Sequence, residues 1–581
     1  MEFSGNDDAP KPPPHAARHA PHFPLLWILI PQILAFASCS VFPWFSEIPI
    51  SRHLFAGTFF LLLAVTACVC EHLFSDSTKI PLFAGTWKLC FPIAAFFIFC
   101  TWWDFRAPPV ENCENQSPRE VGVEFRIERA FSTSEKNFNG LAIIEKISGE
   151  GVEKLTGARI WFSVSKKLFS DKEEFPSEGM FLHATGILSG TKSTEFLNGG
   201  FLTYLRRERV SAVFSRAESI EILPRNEFFF TRWCSQIKNG LKQKLLNISE
   251  GDKWRERAGR VLGAMLLGDR TLLLPEQKNN FLLTGTMHIF AVSGLHVSIL
   301  AAGMLSVLRF FRIPGLPAWI AMLLSLWIYT QIVGGPPSAM RAWAMMFFIF
   351  IGTLSGRGRM AFHGLLCSAF FALTVNPGIL NNTGFQLSYL VVSAILLYGI
   401  PLSENLENKF APDRWIPKQA YSFSQKIRSR IQSLAISGSC ISLSAFLTGT
   451  PIVTAMFGIC SFTALAANIV LIPLVSLAAW TGATTLLVTE IPYIGIFLGK
   501  IIFPVAAIPL SLVDFGTEFF SKFPGVAQLT FPYQNLGIIG SLLLLAIILF
   551  GEFHPQLRER PILRFSLPPL ILSVFLLVFA Y

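Results

Sequence analysis

Residues 284–297 read TGTMHIFAVSGLHV, a stretch that is apolar enough for a membrane yet contains His288, Ser293, Gly294 and His296. An ionisable side chain at bilayer depth costs roughly 3 kcal/mol or more, so such residues usually face a bundle interior or a water-filled path. If the stretch forms one helix, the spacing of eight residues between His288 and His296 returns the second imidazole to roughly the face of the first. We therefore expect the functional site here.

The rest of the chain has the composition of a membrane protein. Of its 581 residues, 52% are hydrophobic and 15% are charged, and its mean hydropathy is +0.49. This apolar fraction exceeds what a soluble domain of the same length needs, and it predicts a polytopic α-helical membrane protein. The net charge of +10 fits an anionic partner or an anionic membrane face, although basic loops are common in membrane proteins.

The cysteines give little evidence of a disulfide framework. Eight of the ten lie in or beside apolar runs, where cysteine behaves as a small hydrophobic residue. Only Cys113 and Cys234 lie in more polar sequence, and they can pair only if that region is extracytoplasmic.

A polar N-terminal tail, residues 1–22, precedes a predicted group of transmembrane helices in residues 23–103. If the N-terminus is cytoplasmic, three spans place the segment that follows outside the membrane, whereas two would place it inside. The spacing of the apolar runs favours three spans. These runs occupy residues 23–42, 53–70 and 82–103.

Residues 104–227 have a different character, because charges of both signs appear and the apolar period becomes two. This alternation predicts β-strands, and five short strands predict a small OB-like barrel, which would be an all-β soluble domain inserted in the membrane protein. Its acidic and basic residues roughly cancel, so it is not an obvious basic platform for nucleic acid. The strand-like runs begin with the alternating residues Val121, Val123, Phe125 and Ile127 and continue at 141–147, 159–164, 180–188 and 210–222.

Residues 228–280 carry apolar residues at helical spacing beside basic ones, in the runs 228–246 and 253–267. Basic amphipathic helices of this type lie in a membrane interface beside anionic headgroups. The alternative is a basic collar that gathers a polyanion at a pore mouth, and both interpretations can hold. The basic residues are Arg232, Lys238, Lys242, Lys244, Arg255, Arg257 and Arg260.

Apolar runs dominate residues 281–581. Several are too short to span a bilayer alone, so some helices must be broken or re-entrant, and the sequences Gly-Gly-Pro-Pro at 334–337 and Thr-Gly-Thr-Pro at 448–451 fit such breaks. Broken helices are tolerated where the freed backbone groups line protein or water, which favours a conduit. The plausible spans are 281–311, 318–334, 341–354, 362–375, 387–400, 434–447, 459–479, 481–489, 494–515, 536–550 and 567–581.

Polar residues inside this apolar half admit four interpretations. They can form a structural network between helices, line a conduit for an anion, bind a metal, or supply a Ser293–His296 nucleophile–base pair. The metal site would use His288, His296 and Asp269, but these residues lack the spacing and the further ligands of a zinc shell. The Ser293–His296 pair lacks an obvious acid that would orient the histidine. The groups are Asp269-Arg270 with 284–297, Pro337–Ala342 with Arg341, Asn376-Pro377 with Gln386, Ser388 and Tyr389, and Asn468.

Five blocks in order closely resemble the signature blocks of the ComEC competence proteins. They lie at 266–270, 285–297 (GTMHIFAVSGLHV), 337–342, 376–389 and 450–473, and the segment EFLNGGFLTYLRRERVSAVF at 195–214 resembles the end of that family's N-terminal OB-like domain. The resemblance covers about residues 25–530.

This resemblance implies an inner-membrane channel that carries transforming DNA into bacteria as a single strand, without enzymatic activity, metal or cofactor. It implies single-stranded DNA, membrane lipids, a separate DNA receptor and a cytoplasmic helicase as partners, and it allows a homo-oligomer. Phe290 and Tyr389 are candidate stacking platforms for bases. The residues expected to line or support the path are Asp269, Arg270, His288, Ser293, Gly294, His296, Arg341, Gln386, Ser388 and Asn468.

Many members of this family continue into a C-terminal metallo-β-lactamase-like domain, which is proposed to degrade the strand that is not transported. The sequence lacks the H-x-H-x-D-H motif of that domain, so we expect a short form whose nuclease is a separate protein. Two other functions stay open: a membrane-embedded hydrolase that acts on a lipid or cell-wall precursor, and a transporter of another anionic polymer.

Overall fold

The structure is a computed structural model of the full chain. The structure describes residues 25–41, 50–73, 87–106, 117–131, 137–149, 155–169, 179–191, 205, 210–223, 229–290, 292–313, 315–355, 361–410, 421–523, 525–529 and 535–579. Its described part is mainly helical, with one small barrel in the N-terminal half.

Within the part of the chain that the structure describes, three helices precede the barrel. They are α1 (Leu26–Val41), α2 (Ile50–Leu73) and α3 (Trp87–Arg106). Phe36 of α1 is fully buried against Phe99 and Trp103 of α3, at ring-centroid distances of 5.9 and 5.7 Å. These aromatic contacts join α1 and α3 into one packed unit, which also contacts the membrane helices farther along the chain.

The barrel confirms the all-β prediction. Its strands close in the order β1-β2-β3-β5-β4, and β3 pairs with β5 in parallel, which is the arrangement of an OB fold. The alternating residues Val121, Val123, Phe125 and Ile127 all point into its core. The strands are β1 (Arg119–Phe131), β2 (Asn137–Ser148), β3 (Arg159–Ser165), β4 (Phe181–Gly190) and β5 (Ala212–Leu223).

Two helices follow the barrel, α4 (Phe229–Ser249) and α5 (Lys253–Leu266). Both were predicted as interfacial helices or a basic collar, but the second half of α5, from Ala258 onward, is almost wholly buried in the main hydrophobic core. Several of the basic side chains make ion pairs within the protein instead of facing an external anion. These pairs are Lys242–Asp269 at 2.5 Å, Lys244–Glu490 at 2.8 Å and Arg257–Asp514 at 2.9 Å.

The remaining helices form the membrane part. In the part of the chain that the structure describes, nine helices are long and apolar enough to cross a bilayer, and four more are apolar but shorter. The nine long helices include α2 and the four shorter ones include α1 and α3. After α5 the chain continues with α6 (Pro275–Leu283), which belongs to neither set, and then with α7 (Gly294–Phe310), α8 (Gly315–Ile332), α9 (Pro337–Leu354), α10 (Ala361–Val375), α11 (Thr383–Lys409), α12 (Phe423–Phe457), α13 (Thr463–Thr489), α14 (Gly495–Ser521), α15 (Asn535–Phe553) and α16 (Pro561–Phe579).

Three predicted spans are wrong in detail. The run 281–311 covers the end of α6 and all of α7, which are separated by a turn that contains a short 3-10 helix. The runs 459–479 and 481–489 instead form one helix, α13, preceded by a short strand β6 (Ile459–Ser461) that pairs with β7 (Val526–Gln528). The predicted break at 448–451 also does not end a helix, since α12 continues through Pro451.

The core of the membrane part surrounds α5. Leu262 and Met265 are fully buried against α13 and α14, together with Phe281 and Phe290 from the two sides of the α6–α7 turn. The rings of Phe281 and Phe290 meet edge to face, with centroids 4.4 Å apart. The turn that carries the histidines is therefore fixed to the centre of the protein.

Candidate functional site

The turn between α6 and α7 is built by local sequence signals. Gly285 adopts a φ of +69°, and the amides of Gly285 and Thr286 donate to the carbonyl oxygens of Leu282 and Phe281, at 3.0 and 2.9 Å. This is the Schellman arrangement in which glycine ends a helix, because a left-handed backbone conformation costs glycine little. A short 3-10 turn, Met287–Phe290, then carries His288.

Helix α7 begins at Gly294, and Ser293 and His296 form its cap. The backbone amide of Ser293 donates to Nδ1 of His296 at 3.2 Å, and Ser293 Oγ lies 3.0 Å from the same nitrogen. Because Nδ1 accepts a hydrogen bond, a neutral His296 carries its proton on Nε2. This Nε2 atom is buried and has no hydrogen-bond partner in the structure described.

The two histidines therefore do not share a helix, and the expectation that they lie on one helical face is wrong. They remain close enough for the charge of His288 to influence His296. The side chain of His288 is accessible, whereas that of His296 is only 1% exposed. His288 Nδ1 lies 3.2 Å from the carbonyl oxygen of Gly285, which orients the imidazole toward its own turn.

Asp269 and Arg270 follow the end of α5 and have different environments. The Asp269 carboxylate binds Lys242 at 2.5 Å and accepts hydrogen bonds from the amide and hydroxyl of Thr271, at 3.2 and 2.5 Å. Desolvation acts to raise the pKa of Asp269, but the bonds from Lys242 and Thr271 outweigh it and lower that pKa below the ordinary value. The charge of Asp269 is thus neutralised, and its ion pair with Lys242 links α4 to the residues that follow α5.

The Arg270 guanidinium is accessible, and its Nε donates to the carbonyl oxygen of Phe290 at 3.3 Å. Desolvation by the surrounding protein lowers the pKa of Arg270 below its ordinary value. Among the described residues it forms no ion pair. Arg270 therefore presents an uncompensated positive charge beside the histidine turn.

Arg341 lies in the first turns of α9 and is 6% exposed. Its Nη2 donates to the carbonyl oxygen of Gly384 at 2.7 Å, and its Cζ lies 5.7 and 5.6 Å from the ring centres of Phe385 and Tyr389. The Nε and Nη1 atoms are buried without a hydrogen-bond partner within the described ranges. A buried guanidinium in this condition lacks the counter-ion that usually accompanies it.

The start of α9 also holds the turn in front of α7. Ser338 Oγ donates to the carbonyl oxygen of Val292 at 2.6 Å, and Gly294 packs closely against Ala342. A Cβ built on Gly294 would lie 3.5 Å from that of Ala342, which is an ordinary van der Waals contact. The blocks 266–270, 285–297 and 337–342 are therefore brought together in space.

The remaining predicted residues have supporting positions. Gln386 Nε2 donates to the carbonyl oxygen of Leu380 at 2.8 Å and fixes the start of α11, while Ser388 is half-buried on the same helix. Asn468 contacts Ser442 of α12, at 3.5 Å between Nδ2 and Oγ. The contacts of Asn468 do not join it to the arginines or histidines. Its placement on the DNA path stays a prediction.

Two expectations about chemistry can be compared with this geometry. Phe290 is 1% exposed and packed in the core, so its predicted role as a stacking platform for bases is wrong in this conformation. No group of three His, Cys, Asp or Glu residues with the geometry of a metal site occurs among the described residues. The Cys113–Cys234 pairing cannot be compared, because Cys113 lies outside the described residues.

Sequence reasoning missed several residues that position the site. Lys238 donates to the carbonyl oxygen of Val333 at 3.3 Å, and Tyr329 OH donates to that of Leu266 at 2.8 Å, so α4 and α8 both hold the region around Gly268. Asp514, within α14, pairs with Arg257 of α5. The sequence indicates a role for Asp514, because it is a carboxylate inside an apolar run. Nothing in the sequence indicates that Lys238 and Tyr329 contact backbone carbonyl oxygens.

Comparison with known proteins shows the family. Residues 265–557, about half of the chain, match the family model described as Competence protein. The chain is 27% identical over 224 residues to ComE operon protein 3 of Bacillus subtilis (strain 168), covering 38% of this chain and 25% of that protein. It is 25% identical over 226 residues to the protein named Uncharacterized protein YcaI of Escherichia coli (strain K12), covering 37% of this chain and 27% of that protein.

The chain thus matches about a quarter of the length of each of these curated relatives. No solved structure matches it. The family match covers the membrane part that holds both arginines, the histidine turn and the start of α11. By this match the chain belongs to the Competence protein family, and it is a multi-pass protein of the bacterial inner membrane.

Proposed function

We propose that the protein forms an inner-membrane channel that takes up single-stranded DNA during natural competence. The observation that supports this most strongly is a pair of guanidinium groups, Arg270 and Arg341, that have no carboxylate partner among the described residues. Arg341 is buried, and a cation buried without a counter-ion is costly, so its site is suited to receive an anion. The DNA backbone supplies one such anion per nucleotide.

The charge balance around the turn agrees with this proposal. The Asp269 carboxylate is neutralised by Lys242, and the imidazole of His296 accepts hydrogen bonds at Nδ1 as a neutral ring does. Two positive charges, one each on Arg270 and Arg341, are therefore left for a ligand. The polyanion needs such a wet, mildly basic path because its phosphates cannot enter hydrocarbon.

We propose conduction rather than hydrolysis as the role of the site. Ser293 Oγ and His296 Nδ1 are 3.0 Å apart, which a nucleophile and its base would also be, but the same nitrogen accepts the amide of Ser293 in a helix cap. No carboxylate contacts Nε2 of His296 in the described part of the chain. A triad needs such an acid to orient the base.

The other parts of the chain follow from this role as proposals. Residues 104–227 form an OB-like soluble domain, 228–280 a linking pair of helices, and 281–581 the channel domain, while 1–22 and 23–103 form the tail and the first membrane helices. A separate receptor presents the DNA, a nuclease removes the other strand, and a cytoplasmic helicase draws the strand inward. Single-stranded DNA and membrane lipids are direct partners, and the channel is open to homo-oligomerisation.

Deletion of the gene in a transformable host tests the proposal. Cells that lack the gene should bind labelled DNA at their surface but contain no labelled DNA that resists external nuclease, and a plasmid copy should restore it. Undiminished internalisation in the deletion strain would contradict the channel. If the plasmid copy restores uptake of a different anionic polymer while DNA uptake is the same in all strains, the result would favour transport of that polymer instead.

A further inference from the structure

Helix α12 is longer than a membrane span. Its 35 residues, Phe423–Phe457, extend over about 52 Å, whereas about 20 residues are enough to cross the hydrocarbon core. The last part of the helix, residues 438–457, has that length and contains no charged residue. The charged residues of α12 all lie before it, and they are Lys426, Arg428 and Arg430. The first turns of α12 therefore project from the membrane.

These projecting turns carry an exposed apolar stripe. It consists of Phe423, Ile427, Ile431 and Leu434, which follow one another at spacings of four, four and three residues and so lie on one face of the helix. Their exposed fractions are 80, 44, 63 and 69%. A row of large apolar side chains that stay this exposed outside a membrane marks a surface that another molecule covers.

The opposite face of the same turns packs against the end of α11. Ser433 Oγ donates to Oε1 of Glu407 at 2.8 Å, and Gln432 Nε2 donates to the carbonyl oxygen of Phe410 at 2.7 Å. A capping box at Ser422 begins the helix. The projecting turns are thus held in place by their inner face, and the apolar stripe is their outer face.

Lipid cannot cover the whole stripe. The headgroup layer is about 5–8 Å thick on each side of the core, whereas Ile427 and Phe423 lie roughly 16 and 22 Å along the helix from residue 438. An amphipathic helix that binds headgroups lies in the plane of the membrane. Because α12 is one unbroken helix, its first turns cannot lie in that plane while the rest of it spans the core.

Basic side chains border the stripe on both sides. Since each residue turns the helix by about 100°, Lys426 and Arg430 lie along one edge and Arg428 along the other, and all three are exposed. No acidic residue occurs in the sequence between Tyr421 and Phe457. A second copy of this surface would bring like charges together, which disfavours pairing of the stripe with itself. An acidic partner would instead form ion pairs along both edges.

The charges also indicate the side of the membrane. Residues 409–430 contain six Lys or Arg residues and one acidic residue, Asp413. Short loops that are rich in Lys and Arg are cytoplasmic, so we expect the projecting turns on the cytoplasmic side.

We propose that the apolar stripe of α12 is a docking surface for an amphipathic helix of a cytoplasmic protein, with Leu or Ile facing the stripe and Glu or Asp along its edges. Such pairing follows the coiled-coil rules, in which apolar a and d residues meet and charged e and g residues select the partner. Nucleic acid fits the surface less well, because single strands stack on aromatic rings and the middle of the stripe is Ile427 and Ile431. The docking surface does not depend on which polymer the channel transports.

Two designed helical peptides test this surface. Both carry Leu and Ile at the a and d positions, but one has Glu and the other has Lys at the e and g positions. Binding of each labelled peptide to the full chain in nanodiscs is measured by fluorescence anisotropy. The unaltered chain should bind the Glu peptide at least about tenfold more tightly than the Lys peptide, because only the Glu peptide complements the basic edges.

Two variants separate the apolar contact from the charges. Ile431→Ser should weaken binding of the Glu peptide by about tenfold, because an apolar contact at the centre of the stripe is lost. Ile562→Ser is the matched control and should leave binding unchanged, since Ile562 is 84% exposed at the start of α16. Lys426→Glu combined with Arg430→Glu should invert the preference, so that the Lys peptide binds more tightly. The unfolding midpoints should stay within a few degrees, because the altered side chains are exposed.

Several results would overturn the docking surface. They are equal binding of the two peptides by the unaltered chain, an unchanged affinity in Ile431→Ser, and a loss of single-stranded DNA binding in that variant equal to its loss of peptide binding. A strongly lowered unfolding midpoint in Ile431→Ser would show that this chain covers the stripe itself. A fluorescent amino acid at position 427 should be quenched by iodide in the water, whereas quenching by brominated lipid would place the stripe in the bilayer. If Ile431→Ser does not fold, the double charge variant decides.

Discussion

Replacement of Arg341 by methionine separates a functional arginine from a structural one. Methionine keeps a similar length and an apolar stem but removes the guanidinium. The lost contacts are the hydrogen bond to Gly384 and the interactions with Phe385 and Tyr389. If Arg341 served only to hold α9 against α11, its removal would lower stability and transport together.

The magnitudes predict a different result. A hydrogen bond from a charged donor contributes about 1.5–3 kcal/mol, and each desolvated cation–π contact about 1–2 kcal/mol, so the lost contacts amount to roughly 3–7 kcal/mol. The desolvation penalty of an unpaired buried ion is also several kcal/mol, and Arg341→Met removes it. The free energy of unfolding should therefore change by no more than about 2 kcal/mol in either direction.

The assay compares the midpoint of thermal unfolding in detergent with import of labelled DNA into vesicles. We expect Arg341→Met to unfold within a few degrees of the unaltered protein and to import at least about tenfold less DNA. A midpoint lowered in proportion to the lost import would refute the reasoning, because Arg341 would then be a structural residue. Unchanged import would refute it as well.

Four further predictions follow from other contacts in the structure. Ser293→Ala should cost about 1 kcal/mol of stability as a lost helix cap and leave most DNA import in place, whereas a drop in import of several hundredfold would favour a nucleophile. Asp269→Asn should strengthen binding of single-stranded DNA, because Lys242 is released to bind phosphate. It should also steepen the slope of the logarithm of the binding constant against the logarithm of the salt concentration, by about 0.7 for each added phosphate contact. Equal slopes for the variant and the unaltered protein in filter-binding assays would contradict this. Because the pKa of Asp269 is lowered, the stability that its ion pair contributes should be fully present above the ordinary aspartate pKa and should be lost progressively as pH falls from there through the lowered pKa, as measured by denaturant unfolding at a series of pH values. Gly303→Ala should lower the unfolding midpoint by several degrees, because a Cβ there would overlap the Trp480 ring, whereas Gly240→Ala, with open space around it, should be neutral or stabilising; equal midpoints would contradict the close packing of α7 on α13.

Local periodicity made most of the fold predictable. The alternation at Val121 to Ile127 gave strand β1, and long apolar runs gave the spans, because both signals depend on neighbouring residues alone. The break between α6 and α7 was less visible, since residues 281–311 are apolar throughout. Its signals were Gly285 as a helix end and Ser293 as a cap.

The contacts of the site depended on distant residues and could not be predicted. The neutralisation of Asp269 requires Lys242, which lies on another helix, and the burial of Phe290 requires Phe281 and the packing of α5. The burial of the second half of α5 likewise depends on distant residues, because its apolar face is covered by α13 and α14, and its position at the membrane interface stays a prediction. The side of the membrane on which the barrel lies stays a prediction.

The most direct test of the channel is import by the purified, unaltered chain alone. Vesicles with and without the protein are given a labelled single strand under an inside-positive potential, treated with external nuclease, and then opened so that the full-length strand inside can be measured. We expect protected full-length DNA only in vesicles that contain the protein, with less import when the potential is removed. Equal protection in protein-free vesicles, or no protection in either, would contradict it.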